Sequence, residues 1–100
     1  MRLISRNTLS SYAARHPAAE PSLRYWRIAV EKAAWRTSHE AQAAFPKAKV
    51  LNAERIRYEI AGGNYRLIAA FDYSKQIARA KFIGTHAEYD KIDALTVFLF

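Results

Sequence analysis

The spacing of apolar residues changes once along this chain. Between residues 6 and 34 they recur at helical intervals, and between residues 55 and 84 they alternate. Leu9, Tyr12 and Ala13 place an apolar stripe on a helix over 6–15, which His16-Pro17 ends because a residue before proline is pushed out of the helical region. Pro21 can open a second helix, where its missing N–H is no loss. On that helix Leu23, Trp26, Val30 and Ala33 or Ala34 share one side, with Arg24, Arg27 and Glu31 largely on the other. The two helices are expected to form a hairpin over a sheet. Arg2-Leu3-Ile4 predicts a short first strand, and Thr37-Ser38-His39-Glu40 has capping-box spacing for a short helix ending before Pro46. Residues 47–54 read only as a basic connection.

The alternating region divides into strands over 55–61, 64–73 and 77–84. A two-residue turn at Gly62-Gly63 pairs Ile60 with Tyr65, Glu59 with Arg66, Tyr58 with Leu67 and Arg57 with Ile68. A second turn at Ser74-Lys75 sets Leu67 against Phe82, Ile68 against Lys81 and Ala70 against Arg79. One face then carries Ile56, Tyr58, Ile60, Tyr65, Leu67, Ala69, Phe71, Ala78, Ala80 and Phe82, which is a core. The other carries Arg55, Arg57, Glu59, Arg66, Ile68, Arg79, Lys81 and Ile83. A one-residue slip would bury the charges, so the alternation itself specifies the register.

At 100 residues the chain is expected to be a single domain over 1–100, and with 51% hydrophobic residues it can build a core without staples. The lack of cysteine excludes disulfides, thiolate metal sites and thiol nucleophiles, and fits a cytoplasmic protein. Met1-Arg2-Leu3-Ile4-Ser5 runs into polar sequence, so no signal peptide is expected. No apolar run approaches the roughly 20 residues of a membrane helix. Sixteen Lys and Arg against nine Asp and Glu give a formal charge of +7, and ten of the sixteen are arginine, the side chain suited to bidentate phosphate contact. The expected partner is anionic.

Charge and strand pattern meet on the second sheet face, which holds five cations and one anion, Glu59, placed to orient Arg66. A face open to solvent and this positive reads as a phosphate-binding surface; the alternative is a merely solvated one. At its end, Thr85-His86-Ala87-Glu88 has capping-box spacing, with His86 as first helical residue, Tyr89 about one turn beyond Thr85, and Asp90 next. An imidazole there is a candidate for proton transfer, against a purely structural role at a helix start. His16 and His39 fall in a helix break and a cap and read as structural. No metal-ligand spacing, phosphate loop or nucleophile elbow occurs. RNA can still be cut without a metal, because its 2′-hydroxyl attacks the adjacent phosphate. The protein then need only align the attack, move protons and stabilise charge.

At these residues the chain resembles the HigB-type toxins of bacterial type II toxin–antitoxin systems, within the RelE/ParE-like group. The resemblance is carried by Met1-Arg2-Leu3-Ile4-Ser5, Ala44-Phe45-Pro46, Gly62-Gly63-Asn64-Tyr65-Arg66-Leu67-Ile68 and Phe82-Ile83-Gly84-Thr85-His86-Ala87-Glu88-Tyr89-Asp90-Lys91-Ile92. It implies an α+β RelE-like fold: an N-terminal helical hairpin on one face of a small antiparallel sheet, with a short C-terminal helix. It also implies a cytoplasmic endoribonuclease that cuts mRNA on the ribosome and needs no cofactor or metal. A cognate antitoxin would restrain it, and DNA would be met only through the toxin–antitoxin complex. The resemblance carries Arg66, His86, Tyr89 and Asp90 into the site, whereas Arg79 and Lys81 come from the strand register. The expected roles are catalysis for His86, Tyr89, Arg66 and Lys81, RNA binding for Arg55, Arg57 and Arg79, and orientation for Asp90 and Glu59. Two alternatives stay open: a non-enzymatic ParE-like gyrase poison, and an RNA-binding module that makes no cut. The apolar run Leu95-Thr96-Val97-Phe98-Leu99-Phe100 is expected to complete the core as a strand, the alternative being an exposed partner patch.

Overall fold

The computed structural model describes residues 1–98 and is an α+β fold built on a five-stranded sheet in the order β1-β5-β4-β3-β2. The elements are β1 (Arg2–Ile4), α1 (Arg6–Arg15), α2 (Glu20–Lys32), α3 (Ser38–Ala43), β2 (Lys49–Val50), β3 (Arg55–Ile60), β4 (Tyr65–Asp72), β5 (Ile77–Thr85) and α4 (His86–Tyr89). No helix among the described residues is long and apolar enough to cross a membrane.

The helices form where the pattern requires. α1 buries Leu9, Tyr12 and Ala13, and α2, with Pro21 in its first turn, buries Leu23, Trp26 and Val30. These side chains join Ile56, Tyr58, Ile60, Leu67, Ala69, Phe71, Ala78 and Ala80 of the sheet in one core. The α3 cap is shifted by a residue from a capping box. The Thr37 hydroxyl accepts from the Glu40 N–H at 3.2 Å, while the Glu40 carboxylate accepts from the Arg36 N–H at 2.8 Å.

The sheet is mixed rather than antiparallel. β1 runs parallel to β5, pairing Arg2 with Ile77 and Ile4 with Arg79. β3 and β4 pair as expected from Arg57 with Ile68 through Ile60 with Tyr65. Their connection is a four-residue loop, Ala61 to Asn64, in which Ala61, Gly62 and Gly63 all take positive φ, of 54°, 70° and 97°.

β4 and β5 depart from simple alternation at one point. Ala70 meets Arg79 and Phe71 meets Ala78 as expected, but a bulge follows, so Ile68 meets Phe82 and Leu67 meets Ile83. Lys81 is the extra residue. Phe82 therefore leaves the core face and Ile83 enters it, reversing the expected positions of both. Strict alternation would have turned Ile83 outward and set Gly84 into the core; the bulge turns Phe82 and Gly84 to the second face instead. In the structure Ile83 is 4% exposed.

The second face is not open, as expected, but covered across its middle. Ile68 and Phe82 are buried, with the Tyr89 ring 6.3 Å from that of Phe82. After α4 the chain crosses β3, where Arg55 reaches the carbonyls of Ala94 and Val97. Residues 95–98 form turns and irregular chain instead of a core strand, and Leu95 and Phe98 are exposed. Leu99 and Phe100 of that apolar run lie outside the described residues.

Candidate nucleic-acid interface

The strand pairing sets out the second face in rows. Lys49, Arg57, Ile68 and Phe82 form one; Glu59, Arg66 and Gly84 form the next toward α4; Arg55, Ala70, Arg79 and Ile4 lie on the far side. An apolar stripe thus separates the two polar ends of the face, which carry three groups of side chains between them.

The first group is built around Glu59. Its carboxylate lies 3.7 Å from Arg57 Nη2 and 3.9 Å from Arg66 Nη1, and Arg66 Nη1 also donates to the Gly63 carbonyl at 2.6 Å. One anion between two cations leaves a net positive charge on largely buried side chains, where screening is weak. Gly63 is required twice over. Its φ is left-handed, and a Cβ there would fall 2.7 Å from Glu59 Oε1 and 3.1 Å from Arg66 Nη1.

The second group begins at the adjoining helix start. Thr85 caps α4: its hydroxyl accepts from the Glu88 N–H at 3.1 Å, and Glu88 Oε1 accepts from the Thr85 N–H at 2.8 Å. That amide bond holds the Glu88 carboxyl below its ordinary value. The His86 N–H donates to the Asn64 carbonyl at 3.0 Å, fixing the residue against the start of β4. Its side chain points to solvent, and Nδ1 lies 3.1 Å from Asp90 Oδ2. With the proton on Nδ1, the carboxylate holds the ring and leaves Nε2 available to a reactant. Arg66 pairs with Gly84, two residues before His86, so the two groups share one end of the sheet.

The third group is Arg55, Arg79 and Lys81 at the other end. Arg79 is exposed. Lys81 lies beneath Phe98, with Nζ 4.0 Å from the ring centroid. Burial, then the charges of Arg55 and Arg79, push the Lys81 ammonium below its ordinary value, against an opposing pull from Glu54. Arg55, expected among the RNA contacts, is instead buried, and its Nη1 donates to Ala94 O at 3.1 Å and Val97 O at 2.8 Å. It anchors chain rather than offering charge.

The structure thus gathers Arg57, Glu59, Arg66, His86 and Asp90 at one end and Arg79 with Lys81 at the other, with Tyr89 against Phe82 between them. Strand pairing adds Lys49 and Arg2 to the same face, both missed in the sequence. Lys49 belongs to a strand of two residues, too short for alternation to show. A cavity of about 240 Å³ lies away from this face. It lies between α1 and α2, lined by Leu9, Ala13, Leu23 and Arg27 among others.

A mixed sheet under N-terminal helices, with cations along its second face and an imidazole–carboxylate pair at its end, makes this a small α+β protein. The family model described as HigB_toxin, the RelE-like toxic component of a toxin-antitoxin system, matches residues 19–92, and the chain belongs to that family. It is therefore a toxin with a cognate antitoxin as partner. No curated protein matches the chain.

Proposed function

We propose that this toxin is a cytoplasmic, ribosome-associated endoribonuclease that cleaves mRNA by attack of a 2′-hydroxyl on the adjacent phosphate. The observation that carries the reading is the His86–Asp90 pair at the same end of the sheet as Arg66, a proton-transfer group and a partly shielded cation on neighbouring segments. Arg66 and Arg57 hold the scissile phosphate and stabilise the charge that builds on its oxygens. The 2′-oxygen forms a bond to phosphorus as the bond to the 5′-oxygen breaks, leaving a 2′,3′-cyclic phosphate and a 5′-hydroxyl. One proton leaves the 2′-hydroxyl and one reaches the departing oxygen. His86 is the leading group for these transfers and Tyr89 the second. Asp90 holds the imidazole, Glu59 orients the guanidinium of Arg66, and Arg79 and Lys81 bind backbone further along the strand. DNA, lacking the 2′-hydroxyl, is left intact and is met only through the toxin–antitoxin complex.

Expression without the antitoxin is the direct test. The expected result is growth arrest with new mRNA 5′ ends inside coding regions, mapped by primer extension. Arrest with intact mRNA and trapped gyrase–DNA complexes would replace this reading with that of a gyrase poison. Intact mRNA without such complexes would leave a binder that makes no cut.

A further inference from the structure

We infer that Ser22, on α2 and outside the site, is a positioning residue for the cleavage reaction: through the loop Ala61 to Asn64 it fixes where Arg66 and His86 stand relative to one another. The inference rests on the RNA reading above and adds to it a residue on neither the sheet face nor the α4 helix start.

Arg66 belongs to β4 and His86 to α4, yet one loop holds both. Arg66 Nη1 donates to the Gly63 carbonyl at 2.6 Å, and the His86 N–H donates to the next carbonyl, that of Asn64, at 3.0 Å. Two successive carbonyls thus aim a guanidinium and a helix start, so a shift of the loop moves both. The loop does not hold this shape by its own sequence. Ala61, Gly62 and Gly63 take φ of 54°, 70° and 97°. Glycine adopts such angles freely, whereas the Cβ of alanine crowds the following carbonyl. A conformation that its own residue disfavours persists where the surroundings over-determine it. At Ala61 the surroundings are Ser22, whose hydroxyl accepts from the half-buried Ala61 N–H at 3.1 Å, across 39 residues of chain. The Ala61 carbonyl in turn accepts from the Asn64 N–H at 3.4 Å, which links Ser22 to the carbonyl that holds His86. Ser22 is firmly placed. It lies in the first turn of α2, where Leu23 and Trp26 are buried at 3% and 0% exposure. The core therefore reaches the site through one hydroxyl. If that bond did no more than satisfy an amide, its loss would lower stability and leave the folded protein's chemistry unchanged, and that difference can be measured.

The test uses the full chain and single-turnover cleavage of mRNA on ribosomes. Ser22→Ala is expected to slow cleavage at saturating ribosomes roughly 10- to 100-fold, the scale of a small misplacement of reacting groups. The ribosome concentration giving half the maximal rate should stay unchanged. Ser22→Thr keeps the hydroxyl and should restore the rate, and Ser22→Cys, with a weak sulfur acceptor in the same place, should fall between. In ¹H–¹⁵N spectra the His86 amide and the Arg66 guanidinium signals should move in Ser22→Ala and return in Ser22→Thr. Val30→Ala, about two turns further along α2, is the control. It opens space in the core, so it should lower the melting temperature and leave the rate per folded molecule unchanged. A wild-type rate in folded Ser22→Ala, a Ser22→Thr no faster than Ser22→Ala, or an equal slowing by Val30→Ala would each overturn the positioning role while leaving the RNA reading intact. A wild type that cuts no mRNA would overturn both.

Discussion

His86 shows how much one side chain's local sequence settles. Thr85 and Glu88 fix the helix start, the helix start fixes His86 as its first residue, and the Asn64 carbonyl holds its backbone at 3.0 Å. All but the last contact are within three residues, and this part of the site was legible in the sequence. The contact with Asp90 follows from helical spacing of four residues. Arg55 was not legible. Nothing near it in sequence indicates that carbonyls about forty residues away will surround its guanidinium. The roles of His86 can be separated by His86→Gln, which keeps polarity and loses the titratable ring. In single-turnover cleavage of mRNA on saturating ribosomes the variant should be about 10²- to 10⁴-fold slower while melting near the wild type. Asp90→Ala, which removes only the support of the ring, should cost less. A wild-type rate in folded His86→Gln would remove the imidazole from the mechanism and move proton transfer to Tyr89 and Lys81.

Among elements, β3 and β4 were readable because a glycine-rich connection and alternating side chains constrain the same register. β5 was readable only to Ala80. Beyond it, the order Lys81-Phe82-Ile83-Gly84 suits strict alternation about as well as a bulge, and only the close packing of the sheet decides between them. The parallel placement of β1 was illegible for another reason: its partner β5 lies far along the chain, and three residues of strand carry too little pattern to show the pairing. Gly84 reports on the bulge. A Cβ there would lie 2.6 Å from Phe82 Cζ and 3.1 Å from Glu88 Oε1, so alanine must displace a buried ring. Gly84→Ala should therefore cost about 1–3 kcal/mol of stability in urea unfolding. Gly62→Ala meets no atom within 4 Å and carries only the strain of its φ of 70°, so it should cost about 1 kcal/mol. Gly84→Ala as stable as wild type would mean that Phe82 does not occupy the second face.

Over the whole molecule the charge of +7 is sorted rather than spread. On the helices, Arg6, Arg24 and Arg27 each lie within 4 Å of Glu20 or Glu31, at 3.7–3.9 Å. On the sheet, Glu59 is shared by Arg57 and Arg66, while strand pairing sets Arg2, Lys49, Arg79 and Lys81 on the same face. The sign of that face could be read from alternation, but its closure could not, because the covering chain follows the last periodic element. The sorting bears on how salt should weaken RNA binding. Each phosphate neutralised on a single strand releases counterion and adds about 0.7 to the slope of log affinity against log salt. If the second sheet face is the RNA contact proposed above, Arg79→Ala should lower that slope by about 0.7, because its exposed side chain lies on that face. Arg24→Ala removes the same formal charge from the outer side of α2, where Glu20 already offsets it, and should leave the slope unchanged. Fluorescence anisotropy of a labelled, uncleavable strand between about 50 and 200 mM salt measures both. Equal slopes in the two variants would mean that the RNA responds to net charge alone, and the sheet face would lose its standing as the contact surface.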